Sequence, residues 1–188
     1  MPIGSPRARP KTQRTSDSFE AFCVDNHASI TRALSVSFGS VELGAEAANE
    51  AFARAFARWG RVSQMASPAG WVYTVGLNWG RRHLSRRRRE HELTSQLSQP
   101  TTADLEFEDP DLVRALIALP PKIRAVVVLR KILDLSQIET STALGIPEGT
   151  VKSRLNRGLT QLRHQLTEPH AARPTGRVST PDTRHPHD

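Results

Sequence analysis

DLSQIETSTALGIPEGTVKSRLNRGLTQLRHQL, residues 134–166, is the stretch on which the reading of this chain turns. It predicts two helices joined by a tight break. Ser136 can cap the first, with Glu139 three residues on as in a capping box. The break is Leu144-Gly145-Ile146-Pro147, where Gly145 can take positive φ and Pro147 suits the next helix start. The second helix should run from about Glu148 to Leu166. Val151, Leu155, Leu159, Leu162 and Leu166 form one apolar stripe on it. Lys152, Arg154, Asn156, Arg157 and Arg163 occupy the opposite face. A short helix, a turn and a longer cationic helix make a helix-turn-helix signal. Long cationic and amide side chains reach base edges while the apolar stripe holds the helix to its domain. Helix pairs with a Gly-Pro break also occur in proteins that never touch DNA, so the rest of the chain must decide.

Nineteen Asp and Glu against 26 Lys and Arg give a net charge of +7. That balance favours an anionic partner, either nucleic acid or a membrane surface. Hydrophobic residues make up 37% of the chain and aromatics 5%; the apolar share is rich in Ala and Leu, which favours helix. A single cysteine, Cys23, excludes an internal disulfide framework and a CxxC metal site. It fits a reducing compartment. No apolar run approaches the roughly 18–20 residues needed to span a bilayer, and the N-terminus lacks the apolar segment of a signal peptide. A cytoplasmic protein without stable membrane association is expected.

Outward from the opening stretch, the chain reads as all-α, with two small helical domains joined by a flexible acidic linker. Residues 1–16 are expected to be a disordered tail. Residues 17–89 form the first domain: one helix to about Phe38, a second from Glu42 to about Trp59, a loop over 60–68, and a third helix from Ser67-Pro68. Glu42, Glu46 and Glu50 fall four apart on the second helix. The third carries Trp71, Val72, Val75, Trp79 and Leu84 on its apolar side, weakened by Gly76 and Gly80. It ends in the densest basic tract, Arg81, Arg82, His83 and Arg86 to Arg89. Basic and aromatic groups on one helix suit a phosphate backbone with unpaired bases, although core packing alone accounts for the aromatics. Residues 90–110 contain acids but no Lys or Arg, and read as the linker. Residues 111–166 form the second domain, with nine basic and four acidic groups. Residues 167–188 are expected to be a disordered tail. Their histidines, with His164, are irregularly spaced and suggest no metal site. No phosphate-binding glycine loop or nucleophile–base pair is present, so no enzyme, cofactor or metal is expected.

With these residues in hand, the chain resembles bacterial RNA polymerase sigma factors of the extracytoplasmic-function, group 4, family. LPPKIRAVVVLRKILDLS and ALGIPEGTVKSRLNRGLTQLR resemble region 4 of that family, with GTVKSRL (Gly149–Leu155) the most specific segment. NEAFARAFARW and SPAGWVYTVGLNWGRRHLSRRRR resemble region 2. The resemblance covers about 19–89 and 111–166. It implies a protein that binds core RNA polymerase and directs it to promoter DNA, with an anti-sigma factor as a further partner. Glu42, Glu46, Asn49, Glu50 and Arg54 would dock on the polymerase clamp. Trp71, Asn78, Arg81, Arg82 and Arg86 would engage the −10 element, with the loop from Arg61 to Ser67 helping to hold a flipped base. Lys152, Ser153, Arg154 and Arg157 would read the −35 element, Arg154 first among them. The acidic linker would thread toward the RNA exit channel.

The chain departs from the family pattern at Thr140 and Ser141, a polar pair that would loosen region 4, at Leu77 in place of a common Arg, and at Arg82 in place of a common Asp. Two other functions stay open at this point: a stand-alone helix-turn-helix regulator, and a degenerate sigma-like scaffold that sequesters a partner.

Overall fold

The computed structural model describes residues 11–93 and 109–167. The expected tails over 1–10 and 168–188, and the linker over 94–108, lie outside them. Eight helices and no strand occur among the described residues. The first lobe holds α1 (Lys11–Phe38), α2 (Val41–Ala57), α3 (Trp59–Val62) and α4 (Pro68–Leu93). The second holds α5 (Pro110–Ala118), α6 (Pro121–Lys131), α7 (Gln137–Leu144) and α8 (Glu148–Thr167).

The first lobe is a close three-helix packing of α1, α2 and α4. Ser40 starts α2 by accepting the Leu43 N–H on its hydroxyl, 3.2 Å away. Along α2 the inner face is mostly alanine: Ala47, Ala48, Ala51 and Ala55 are wholly buried. Small side chains let the helix backbones approach. A methyl group on Gly44 would sit 2.5 Å from the backbone N and Cα of Ser35 in α1, and one on Gly76 would meet Leu34 Cδ1 at 2.7 Å. The open end of this lobe is closed by rings instead. Phe22 lies 4.8 Å from Trp59, and Phe19 lies 5.2 Å from Trp59, centroid to centroid. The Trp59 indole N–H donates to Ser18 Oγ at 2.7 Å, which satisfies the one polar atom of a buried ring.

In the second lobe α6 and α8 pack through branched side chains. Val126, Val127, Val128, Leu129 and Val151 are all within 1% of complete burial. Asp109 caps α5, accepting the Asp111 and Leu112 N–H groups at 3.0 Å each. Pro120-Pro121 ends α5 and seeds α6, as the sequence predicts.

Three boundaries differ from expectation. α1 starts at Lys11, so residues 11–16 are helical and not tail. Once a helix exists, each added residue gains a hydrogen bond at little further cost, and KTQRTS holds no breaker. α4 runs to Leu93, because the Glu-His-Glu-Leu that opens the acidic stretch contains good helix formers. α2 stops at Ala57, since Arg58 leaves helical geometry at φ −128° and ψ 19°. Trp59 then opens α3, inside what reads as a loop.

The larger finding is that the lobes touch. One apolar cluster of buried residues runs from Ile30 and Leu34 through Val72 and Leu77 to Leu116, Val127 and Leu162. α1 packs on α5 and α6, and α4 packs on α7.

Candidate nucleic-acid interface

The helix-turn-helix is α7, its turn and α8. Ser136 Oγ accepts the Glu139 N–H at 3.2 Å, and the Glu139 carboxylate accepts the Ser136 N–H at 2.7 Å. This is the capping box the sequence predicts. The Ser136 hydroxyl, then its N–H, holds the Glu139 carboxyl below the ordinary carboxylate range. Gly145 ends α7 at φ 61°, the left-handed conformation that the turn requires. Gln137 Nε2 donates to Glu148 Oε2 at 3.1 Å and ties the two helix starts together.

The polar pair in α7 behaves in two ways. Ser141 Oγ donates to Ile146 O at 2.6 Å and staples the turn, so this position tightens the motif. Thr140 is wholly buried and its hydroxyl has no hydrogen-bond partner. Leu77 is 4% exposed and packs in the core, where a charged residue would have no place.

On α8, Val151, Gly158 and Leu162 turn inward. A methyl on Gly158 would meet Val127 Cγ2 at 2.5 Å, so α8 lies tight on α6. Ser153 and Arg157, four residues apart, share the outward face and are exposed. Lys152 is exposed on one flank of Ser153, and Arg154 is half-buried on the other. The four residues therefore wrap the outer half of the N-terminal turns of α8 and are not a single row.

On α4, Asn78, Arg82 and Arg86 are exposed at spacings of four. Trp71 lies seven residues before Asn78 on the same side, half-buried against the core. Arg81, also exposed, follows Asn78 by three residues and sits at the edge of this face. It lines a cavity of about 200 Å³ between the lobes with Phe38, Leu77, Leu84 and Arg124. A ring pair lies here as well: Trp79 and His83 stack at 5.0 Å and 21° beside the exposed arginines. Their spacing of four on a helix was the available signal. Ser67 caps α4, accepting the Gly70 N–H at 3.1 Å. Arg61 and Gln64, in the segment ahead of it, are exposed.

On α2, Glu42, Glu46 and Asn49 are exposed on one face. Glu50 and Arg54 are half-buried on its flank and bridge each other at 2.7 Å. The outer stripe is thus acidic and amide-bearing, with its only local cation already paired to Glu50. Among the described residues no group of His, Cys, Asp or Glu could hold a metal ion. No described helix is long and apolar enough to cross a membrane.

Two outward faces, one on α4 and one on α8, thus present cations over apolar packing. Residues 111–162 match the family model described as Sigma-70, region 4. The RNA polymerase sigma-E factor of Streptomyces coelicolor is 35% identical over 119 residues, covering 62% of this chain and 67% of the relative. The chain belongs to the extracytoplasmic-function family of RNA polymerase sigma factors. It spans about two thirds of the length of the sigma-E factors it matches. It is also 28% identical over 148 residues to the ECF sigma factor SigW of Bacillus subtilis, covering 69% of this chain and 79% of that one. The sigma fold is shared with RpoE of Bartonella quintana, solved with the anti-sigma factor NepR. That likeness has a TM-score of 0.69 at 16% identity, over 80% of this chain and 97% of that one. In this sigma factor, then, α8 is the second helix of a region 4 helix-turn-helix.

Proposed function

We propose that this sigma factor binds core RNA polymerase through the outer face of α2 and selects promoters with α4 and α8. The observation that carries the reading is the pair of exposed cationic faces, each backed by a buried apolar face on a lobe of its own. Asn78, Arg82 and Arg86 engage the −10 element, with Trp71 holding α4 in place. The segment from Arg61 to Ser67 borders the site of a flipped base. The His83 ring, stacked on Trp79, extends this surface with a flat face for an unstacked base. Ser153, Arg154 and Arg157 meet base edges of the −35 duplex, and Lys152 meets phosphate. Glu42, Glu46 and Asn49 face a basic element of the polymerase.

The chemistry is a shift in a DNA-opening equilibrium. Capture of unstacked bases favours the melted state, and no covalent intermediate forms on this protein. Nucleotidyl transfer belongs to the polymerase. The protein works in the cytoplasm, and an anti-sigma factor is its natural antagonist. The test is transcription in vitro with core polymerase and a promoter library. Initiation at a defined promoter class only when the chain is added supports the reading. A stand-alone operator-binding regulator would instead footprint DNA without polymerase and leave start sites unchanged.

A further inference from the structure

The cavity of about 200 Å³ has walls of unlike character. Phe38 of α1, Leu77 and Leu84 of α4, and Pro121 and Ala125 of α6 supply apolar surface. Leu84 lines it and is still 43% exposed, so the cavity opens to solvent beside an uncovered apolar group. Arg81 of α4 and Arg124 of α6 bring two guanidiniums to the same space.

Neither charge is balanced. Arg124 is held by carbonyls: its Nη1 donates to Ser37 O at 2.8 Å, and its Nη2 to Leu119 O at 3.0 Å and to Ile117 O. These neutral acceptors fix the group without offsetting its charge. Burial pushes the Arg124 pKa below its ordinary value, but a guanidinium stays charged at neutral pH. Its Nε is buried and has no hydrogen-bond partner among the described residues. No described carboxylate pairs with Arg81 or with Arg124. Tyr73 cannot serve as a counter-charge. Burial pushes its hydroxyl up to about 12, and the Ser37 hydrogen bond and the two arginines oppose that only in part. Like charges beside low-dielectric walls repel more than they do in water, and an anion between them removes that cost.

Volume sets the size of that anion. An apolar cavity of about 150 Å³ admits benzene, whereas drug-sized ligands fill about 300–1,000 Å³. A nucleotide is too large. One ring or one branched chain carrying a single carboxylate fits.

We propose that this cavity is a binding site for a small organic acid, with its carboxylate between Arg81 and Arg124 and its apolar body against Phe38, Leu77 and Leu84. Charge-assisted hydrogen bonds from the two guanidiniums hold the acid end. The apolar walls select against inorganic anions, which have no body to bury. The site stands independently of the promoter reading.

The test uses the full chain, with phenylacetate as the probe in ligand-observed NMR. Its roughly ten non-hydrogen atoms, at the efficiency of small ligands, correspond to a Kd of about 1 mM or tighter. Intermolecular NOEs are expected from the probe ring to the methyl groups of Leu77, Leu84 and Ala125. Phenylacetamide keeps the body without the charge, and acetate the charge without the body; each should bind about tenfold more weakly. Arg81→Gln, at an exposed position, should weaken phenylacetate about tenfold and leave phenylacetamide unchanged. Leu84→Asn should weaken both ring compounds. Thermal melts matching the parent show that each variant keeps its fold. Failure to saturate at about ten times the expected Kd would overturn the site, as would equal affinity for phenylacetate and phenylacetamide. So would binding that Arg81→Gln leaves unchanged, or NOEs confined to residues outside the cavity, the mark of general attraction to a basic surface.

Discussion

The two lobes reach the same end, a DNA-facing helix fixed to a core, by opposite packing rules. The first brings α1, α2 and α4 together over alanine and glycine. Its glycines at 44, 76 and 80 each face a neighbour with no room for a methyl. The second fills its core with Val and Leu, and only Gly158 is similarly confined, while Gly145 and Gly149 look onto open space. The first lobe is therefore sensitive to added atoms, and the second depends more on its turn and caps.

The strongest way to break this comparison is at Gly44. Gly44→Ala drives a methyl into the Ser35 backbone, which cannot swing aside. We expect a loss of about 3 kcal/mol, the upper end for overpacking, in urea unfolding. Gly80→Ala meets the Phe38 ring, which can rotate, so its loss should be smaller. Equal midpoints for Gly44→Ala and the parent chain would remove the close-packing argument.

In the second lobe the turn comes next in size. Gly145→Ala places a methyl in a left-handed conformation and should cost about 1–2 kcal/mol, although nothing crowds it. An unchanged melting temperature would show that the turn relaxes freely.

Thr140→Val tests the orphaned hydroxyl. Replacing it with a methyl of like shape should stabilise the chain by about 1 kcal/mol; destabilisation would mean that the hydroxyl has a role in the fold.

Ser136→Ala removes the cap of α7 and should cost about 1 kcal/mol. It also has a pH signature. The folded Glu139 carboxyl lies below its ordinary 4.5. Its stabilisation is complete above that value and is lost as pH falls through the lower, folded pKa. A stability titration between neutrality and acid should show this loss in the parent and a weaker one in Ser136→Ala. Parallel curves would count against the capping box.

The smallest effect is expected at Gly149, where Ala should stabilise by about 0.5–1 kcal/mol through helix propensity alone. A loss there would mean that α8 is crowded at its start.

Much of the local design is readable from residue order, because it depends on neighbours three and four positions away. The capping box at Ser136 and Glu139, the stop at Gly145 and the Pro120-Pro121 junction all follow the rules for helix ends. The exposed stripes on α2, α4 and α8 follow from helical period. Glycine was harder to read. Gly76 and Gly80 look like weak points in a helix by propensity, and the reason they stand there is the approach of Leu34 and Phe38 from a distant segment. Arg81 is exposed like Asn78 and Arg82, and it also borders the cavity with Arg124, which charge and spacing do not reveal. Arg124 carried no signal at all, since its partners include a carbonyl 87 positions earlier.

Sequence alone determined the helices, their caps, the cationic faces and the sigma resemblance, since each rests on short-range spacing and residue chemistry. Tertiary structure decided which glycines are compulsory, that Arg81 borders a cavity between the lobes, and that the lobes meet at Arg124. Those outcomes depend on which distant backbones meet, and a carbonyl acceptor is present at every residue whatever its side chain. No pattern of side chains marks the one that a distant guanidinium will reach.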